Sequence, residues 1–139
     1  MTTQYCTFAL GSLLLAVEAR SVQEVLRSQQ VTPVPLAPDF VRGLMNLRGQ
    51  IVLVVDLRVH LGSLEPTSSS KSLNVLLQTS AGLVSMLADQ IGDVIDVEDD
   101  CQEPIPDTLQ GRARDVLAGA LRLPDRLLLL LNPERIAVA

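Results

Sequence analysis

A chain of 139 residues is long enough for one domain or for two small lobes over a shared core. Apolar residues make up 47% and aromatics 2%, so the core is aliphatic and there is little ring surface on which bases could stack. A net charge of −5, with ten arginines and one lysine, argues against nucleic acid and against a membrane surface as partners.

Gln4 to Leu10 and Leu13 to Glu18 are apolar-rich runs around Gly11-Ser12 and predict a β-hairpin. Ser21 to Arg27 carries Val22, Val25 and Leu26 at the i, i+3, i+4 spacing of a short helix, and Ser21 with Glu24 fits a capping box. Pro33, Pro35 and Pro38 fix φ and remove donors, which predicts an extended segment outside any sheet centre. Asp39 to Arg42 can form one helical turn that stops at Gly43. Leu44 to Leu47 then pairs with Ile51 to Val55 across a turn at Arg48-Gly49. Asp56 caps a short helix through Leu57, Arg58, Val59, His60 and Leu61, ended by Gly62.

Residues 65–72, with Pro66, Thr67, three serines and Lys71, read as a linker between approximate lobes 1–64 and 73–139 of a single domain. Leu73 to Thr79 and Leu83 to Ala88 are strands around Ser80-Ala81-Gly82, and Ile91 to Val97 is another. Asp99 to Thr108 is a polar, proline-punctuated loop. Val116 to Leu123 and Leu127 to Leu131 form a last hairpin, and Pro133 opens a short terminal helix. Short strands at regular spacing with little helix make the fold mainly β, a barrel or a sandwich. The five leucines of 127–131 are a buried strand, since a bilayer span needs about 20 apolar residues. With no basic segment ahead of Leu13-Leu14-Leu15, the reading is a cytoplasmic protein with no membrane insertion.

Catalytic chemistry finds little to work with. His60, the one histidine, reads as a solvated surface residue without a partner. Asp56 ends an apolar strand as in aspartate-dependent hydrolases, the alternative from another class. It is followed by Leu57-Arg58 rather than Thr-Gly or Ser-Gly, so helix capping is the stronger reading. The acidic cluster of Asp89, Asp93, Asp96, Glu98, Asp99, Asp100 and Glu103 lacks the central glycine of a calcium loop and reads as a solvated edge. Cys6 and Cys101 have no metal-ligand spacing and are expected free. The expectation is therefore no enzyme, no metal and no cofactor. Arg48 beside Gly49 has two readings: a turn stabilised by Asp56 or a carbonyl, or a residue presented to a partner. Glu24, as a member of the capping box, reads from the residues alone as structural.

The order Pro-x-x-Pro-x-Phe-x-x-Gly-x-x-Asn-Leu-Arg-Gly over 35–49, then a strand ending in Val55-Asp56-Leu57-Arg58, resembles the signature of the CheW family. Val22-Gln23-Glu24-Val25 resembles that family's Val-x-Glu-Ile segment, and Ala88 to Val94 its Val-Asp-x-Val-x-x-Val segment. Leu53 stands where the family usually has proline. The resemblance implies two small five-stranded SH3-like β-barrels packed together, with short helices. It implies a non-catalytic adaptor in bacterial chemotaxis. The implied partners are the helical hairpin tip of a chemoreceptor and the regulatory domain of a CheA-type histidine kinase. A twitching-motility, phototaxis or other non-flagellar pathway is the alternative. Partner-binding positions on this resemblance are Glu24, Val25, Val31, Gly43, Arg48 and Gly49, with Val25, Val31 and Gly43 in a receptor groove.

Overall fold

A computed structural model describes residues 1–27, 29–61 and 73–136. The expected linker at 65–72 and the helix stop at Gly62 lie outside the described residues. The strands are β1 (Thr2–Leu10), β2 (Leu13–Glu18), β3 (Val22–Arg27), β4 (Val41–Leu47), β5 (Gln50–Val55), β6 (Leu73–Thr79), β7 (Gly82–Ala88), β8 (Gln90–Glu98), β9 (Gln102–Glu103), β10 (Leu117–Arg122) and β11 (Leu127–Leu131). One-turn helices α1 (Arg58–Leu61), α2 (Ala113–Val116) and α3 (Pro133–Ile136) punctuate them.

Two mixed sheets result, in the orders β8-β1-β2-β11-β10-β9 and β3-β6-β7-β5-β4. Strand pairing leaves both sheets open, so the expectation of closed five-stranded barrels is met only as a mainly β molecule with two sheets. The pairing pattern repeats. Hairpin β1-β2 lies parallel to β11 of hairpin β10-β11, and hairpin β6-β7 lies parallel to β5 of hairpin β4-β5. On the far side of the first strand of each leading hairpin sit β8 and β3 respectively. The chain is thus two copies of one pattern, and each copy lends its first hairpin to the sheet built from the other's later strands. In sequence, residues 65–72 separate the two copies.

Local hydrogen bonds repeat as well. The Asp56 amide donates to the Phe40 carbonyl at 2.8 Å, and the Asn132 amide donates to the Val116 carbonyl at 2.9 Å. Asp56 Oδ1 accepts the Arg58 amide at 3.0 Å, as Asn132 Oδ1 accepts the Glu134 amide at 3.1 Å. Gly43 in β4 and Gly119 in β10 both sit at register shifts. All these pairs have the same spacing along the chain.

The alternation of strand side chains explains the core. Leu15 and Val17 face the core between the sheets, while Ala16 faces a second cluster with Tyr5 and Leu121. In β11, Leu129 and Leu131 face the first core, and Leu128 and Leu130 the second. A strand buried on both faces reads as an unbroken apolar run, hence the five leucines. In the other sheet Val75 and Leu77 join the shared core, and Leu76 joins a third cluster with Met45, Val52 and Val54.

Four sequence expectations are corrected. Val22 to Arg27 is a strand, not a helix, entered by a short 3₁₀ turn at Ala19–Ser21. Its register against β6 shifts between Val22 and Glu24. That bulge puts Val22 and Val25 on one face, mimicking helical spacing, while Leu26 packs on the third cluster. Asp39 and Phe40 form a turn closed by the Val41 amide on the Pro38 carbonyl, Val41 and Arg42 already belong to β4, and Gly43 lies inside that strand rather than ending a helix. His60 is buried, not solvated. The acidic cluster is partly engaged: Asp89 pairs with Arg58, Glu103 with Arg122 at 2.6 Å, and Asp99 accepts the Thr3 hydroxyl at 2.9 Å.

Candidate functional site

β3 and β4 are opposite edges of their sheet, so nothing in the strand pairing joins them. Side chains do. Gln50 pairs with Leu47, so the β4-β5 loop is the two residues Arg48 and Gly49, with φ of 51° and 85°. Positive φ at both positions is the turn whose twist matches a hairpin. Glycine takes it freely; for Arg48 it is an uncommon conformation. Asn46 supports the loop by accepting the Gly49 amide on Oδ1 at 2.9 Å. The loop aims Arg48 across to Glu24 on β3, where Nη2 donates to Oε1 at 2.6 Å and Nη1 to Oε2 at 3.1 Å.

This two-bond fork has a fixed plane that a lysine could not reproduce. Hydrogen bonding from Arg48 holds the Glu24 carboxyl below its ordinary range, and Glu24 in turn raises Arg48. The Arg48 side chain remains 66% exposed. The expected pairing of Arg48 with Asp56 is not formed: Asp56 is buried and its Oδ1 accepts the Arg58 amide. Glu24 is not a helix cap.

The other three candidates group differently. Val25 is half-buried against the core between the sheets, and Val31 against the third cluster. Gly43 has φ of 145°, and a Cβ there would stand 2.2 Å from the Thr32 carbonyl oxygen and 2.8 Å from Val31 Cγ1. The cause is a bridge in which Thr32 and Leu44 exchange amide–carbonyl bonds of 2.8 and 2.9 Å. Six candidates therefore fall into one ion-paired turn (Glu24, Arg48, Gly49), one tight backbone crossing (Val31, Gly43) and one side chain packed inward (Val25).

Sequence reasoning missed the exposed apolar residues. Ile51, three residues beyond Arg48, is 60% exposed, and Ile91 and Val94 on the edge strand β8 are 53% and 55% exposed. Ile91 and Val94 were visible as apolar residues among Asp93 and Asp96, but a strand's outward face cannot be told from its inward one without the register. Among the described residues no cluster of three or more His, Cys, Asp or Glu could hold a metal ion, and no helix is long and apolar enough to cross a membrane.

The exposed guanidinium fork and these exposed apolar residues are carried on a frame of two mixed sheets. The family described as CheW-like domain matches residues 4–139, and the chain belongs to it. Chemotaxis protein CheW of Klebsiella aerogenes is 29% identical over 96% of this chain and 80% of its own length. Chemotaxis protein CheW of Treponema pallidum is 30% identical over 96% and 81%. In the fold, the scaffolding protein TtCheW of Thermoanaerobacter tengcongensis matches with a TM-score of 0.85 at 23% identity, covering 95% of this chain and 90% of that one.

Proposed function

We propose that this protein is a cytoplasmic, non-catalytic adaptor that couples the helical hairpin tip of a chemoreceptor to the regulatory domain of a CheA-type histidine kinase. Membership of the CheW-like domain family across residues 4–139 carries the reading. The occupied state of Asp56 supports it, since the carboxylate an aspartate-dependent hydrolase would need is buried and caps α1.

An adaptor of this kind contributes differential contacts rather than chemistry. It shifts kinase activity only as far as its affinity differs between the two states of the assembly. The Arg48–Glu24 fork suits such a role because it ties two sheet edges together and is reachable from solvent. A partner carboxylate that draws Arg48 away from Glu24 would loosen β3 from the β4-β5 turn. Apolar Ile51, Ile91 and Val94 offer surface to the apolar stripe of a helical hairpin.

The test is reconstitution with a receptor fragment and kinase, reading co-sedimentation and kinase activity. Failure of the chain to assemble with both partners overturns the reading. A second reading keeps the mechanics but changes the pathway to twitching motility, phototaxis or another non-flagellar output. Protein FrzA of Myxococcus xanthus, 30% identical over 63% of this chain and 55% of its own length, favours keeping it. Identifying which receptor and kinase co-purify with the chain separates the two.

A further inference from the structure

His60 is a mismatch in the repeat. Its counterpart at the same spacing in the second copy is Ile136, and the two are 4% and 0% exposed. The fold calls for an apolar side chain here, and the first copy supplies an imidazole. Among the described residues neither ring nitrogen has a hydrogen-bond partner. The ring instead meets Phe40 edge-on, with centroids 4.9 Å apart, where the second copy has the pair Val116 and Ile136 in one core cluster.

Phe40 is the anchor of a strap, residues 33–40, that leads into β4. Its carbonyl accepts the Asp56 amide, and Asp39 beside it takes a fork from Arg112, just before α2, at 2.8 and 2.9 Å. The strap roofs an apolar groove of about 450 Å³ lined by Val34, Leu36, Phe40, Val41, Leu44 and Leu53. Among the described residues, the charges facing His60 are Asp39 on the strap, Arg112, and Asp115 in α2. Arg58, on the same helix, is engaged by Asp89.

We propose that His60 is an acid-sensitive latch that lets the strap 33–40 lift from α1 and α2 as pH falls from 7.5 to 5.5. In the closed form, burial is the main influence, and Arg112 adds to it. Together they hold the imidazole below its ordinary pKa against the pull of Asp115 and Asp39. In the open form it meets water and takes a proton near its ordinary value of about 6.5. The open form therefore binds more protons below that pH, and the closed form loses stability as pH falls through it; above it nothing changes. His60 is the only histidine of the sequence, so no other side chain at its ordinary pKa changes charge in this window. The device rests on local geometry and stands apart from the adaptor reading.

Amide hydrogen exchange on the full chain tests it, after correction for intrinsic rates. Two equivalent amides report on the two copies: Asp56, bonded to Phe40, and Asn132, bonded to Val116. With an open form titrating near 6.5 and a closed form that does not, opening at Asp56 rises about tenfold from pH 7.5 to 5.5. Asn132 stays constant, and His60→Leu removes the response. Equal change at both amides, or an unchanged response in His60→Leu, overturns the latch. Should that variant not fold, the wild-type imidazole resonances decide: a midpoint below about 6.5 supports the latch, and one at or above it overturns it.

Discussion

In the first copy of the repeat Asp56 caps α1, and Arg58 in that helix reaches Asp89, which in turn accepts the Gly11 amide of the β1-β2 turn at 2.6 Å. In the second copy Asn132 caps α3, and Glu134 takes the Ser80 amide of the β6-β7 turn directly at 3.0 Å. Both routes tie a one-turn helix to the turn of a leading hairpin, one through a cation and an intervening carboxylate, the other through a carboxylate alone. Features present in both copies are demands of the backbone. Features present in one copy are free to answer to something else. The Arg48-Gly49 turn, whose counterpart is Pro124-Asp125, and His60, whose counterpart is Ile136, are of the second kind.

The largest effects are expected where the copies agree. A Cβ at Gly43 would lie 2.2 Å from the Thr32 carbonyl oxygen, and one at Gly119 would lie 2.5 Å from that of Glu103. In both cases backbone, not a flexible side-chain tip, must yield. Gly43→Ala and Gly119→Ala should each cost about 2–4 kcal/mol from overpacking, with backbone strain added at Gly43. Urea unfolding curves check this, and an unchanged midpoint for either variant breaks the equivalence of the two crossings. Gly43→Asp would then report on folding before it reported on any receptor groove.

Asp89 comes next. The Arg58 side chain is 7% exposed and Asp89 32%. Asp89→Asn keeps an oxygen for the Gly11 amide but gives up the charge that Asp89 brings to its pair with Arg58. The expected loss is about 2 kcal/mol, below that of a fully buried pair because water screens the carboxylate. Burial alone would raise the Asp89 pKa, but hydrogen bonds from Arg58 and the Gly11 amide overcome it and hold the carboxyl below its ordinary value. A depressed carboxylate stabilises the fold above the unfolded pKa of about 3.9 and loses that contribution as pH falls further. The variant should show a flatter acid limb in stability against pH. Parallel curves for variant and wild type would sink the assignment.

Smaller still are the caps. Asp56→Ala and Asn132→Ala each remove one acceptor from a helix N-terminus and should cost about 1 kcal/mol. Chemical denaturation of the two variants measures whether the caps are equivalent, and a difference larger than the cost itself would show that buried Asp56 does more than cap.

Much of this was readable in the sequence. Hairpins announced themselves where an apolar run met a glycine or proline turn, as at Gly11, Gly49 and Pro124, and Asp56 ahead of α1 was legible as a cap. The bulge in β3 was not, because an extra residue in a strand moves Val22 and Val25 onto one face at helical spacing. Nor was the repeat. The copies share a glycine at a backbone crossing and an Asx cap, while Phe40 answers to Val116 and His60 to Ile136, so chemical similarity is thin where geometry is kept. Glu24 and Arg48 each stood out on the family's motif. Their meeting required a ladder in which β3 and β4 are opposite edges, and register of that kind is set by long-range pairing.

Arg48→Ala should have the smallest effect on stability and the largest on coupling. The side chain is exposed and its ion pair lies in water, where such pairs contribute little. Gly49 and Asn46 hold the loop without it. The melting curve should therefore match wild type, while kinase activation in the reconstituted assembly falls about tenfold or more, as for an anchor at the centre of an interface. Arg48→Lys should not restore it, since an ammonium cannot form the fork. Glu24→Ala distinguishes two modes of action. If the pair acts as a unit, the double variant is no worse than either single one; if Arg48 alone meets the partner, Glu24→Ala leaves activation intact. Asp125→Ala, in the equivalent turn of the second copy, is the internal control and should leave activation unchanged. A large loss of stability in Arg48→Ala would return the fork to the fold. Unchanged stability with unchanged activation would remove Arg48 from the docking face, and with it the rule that the side chains on which the copies differ mark the site.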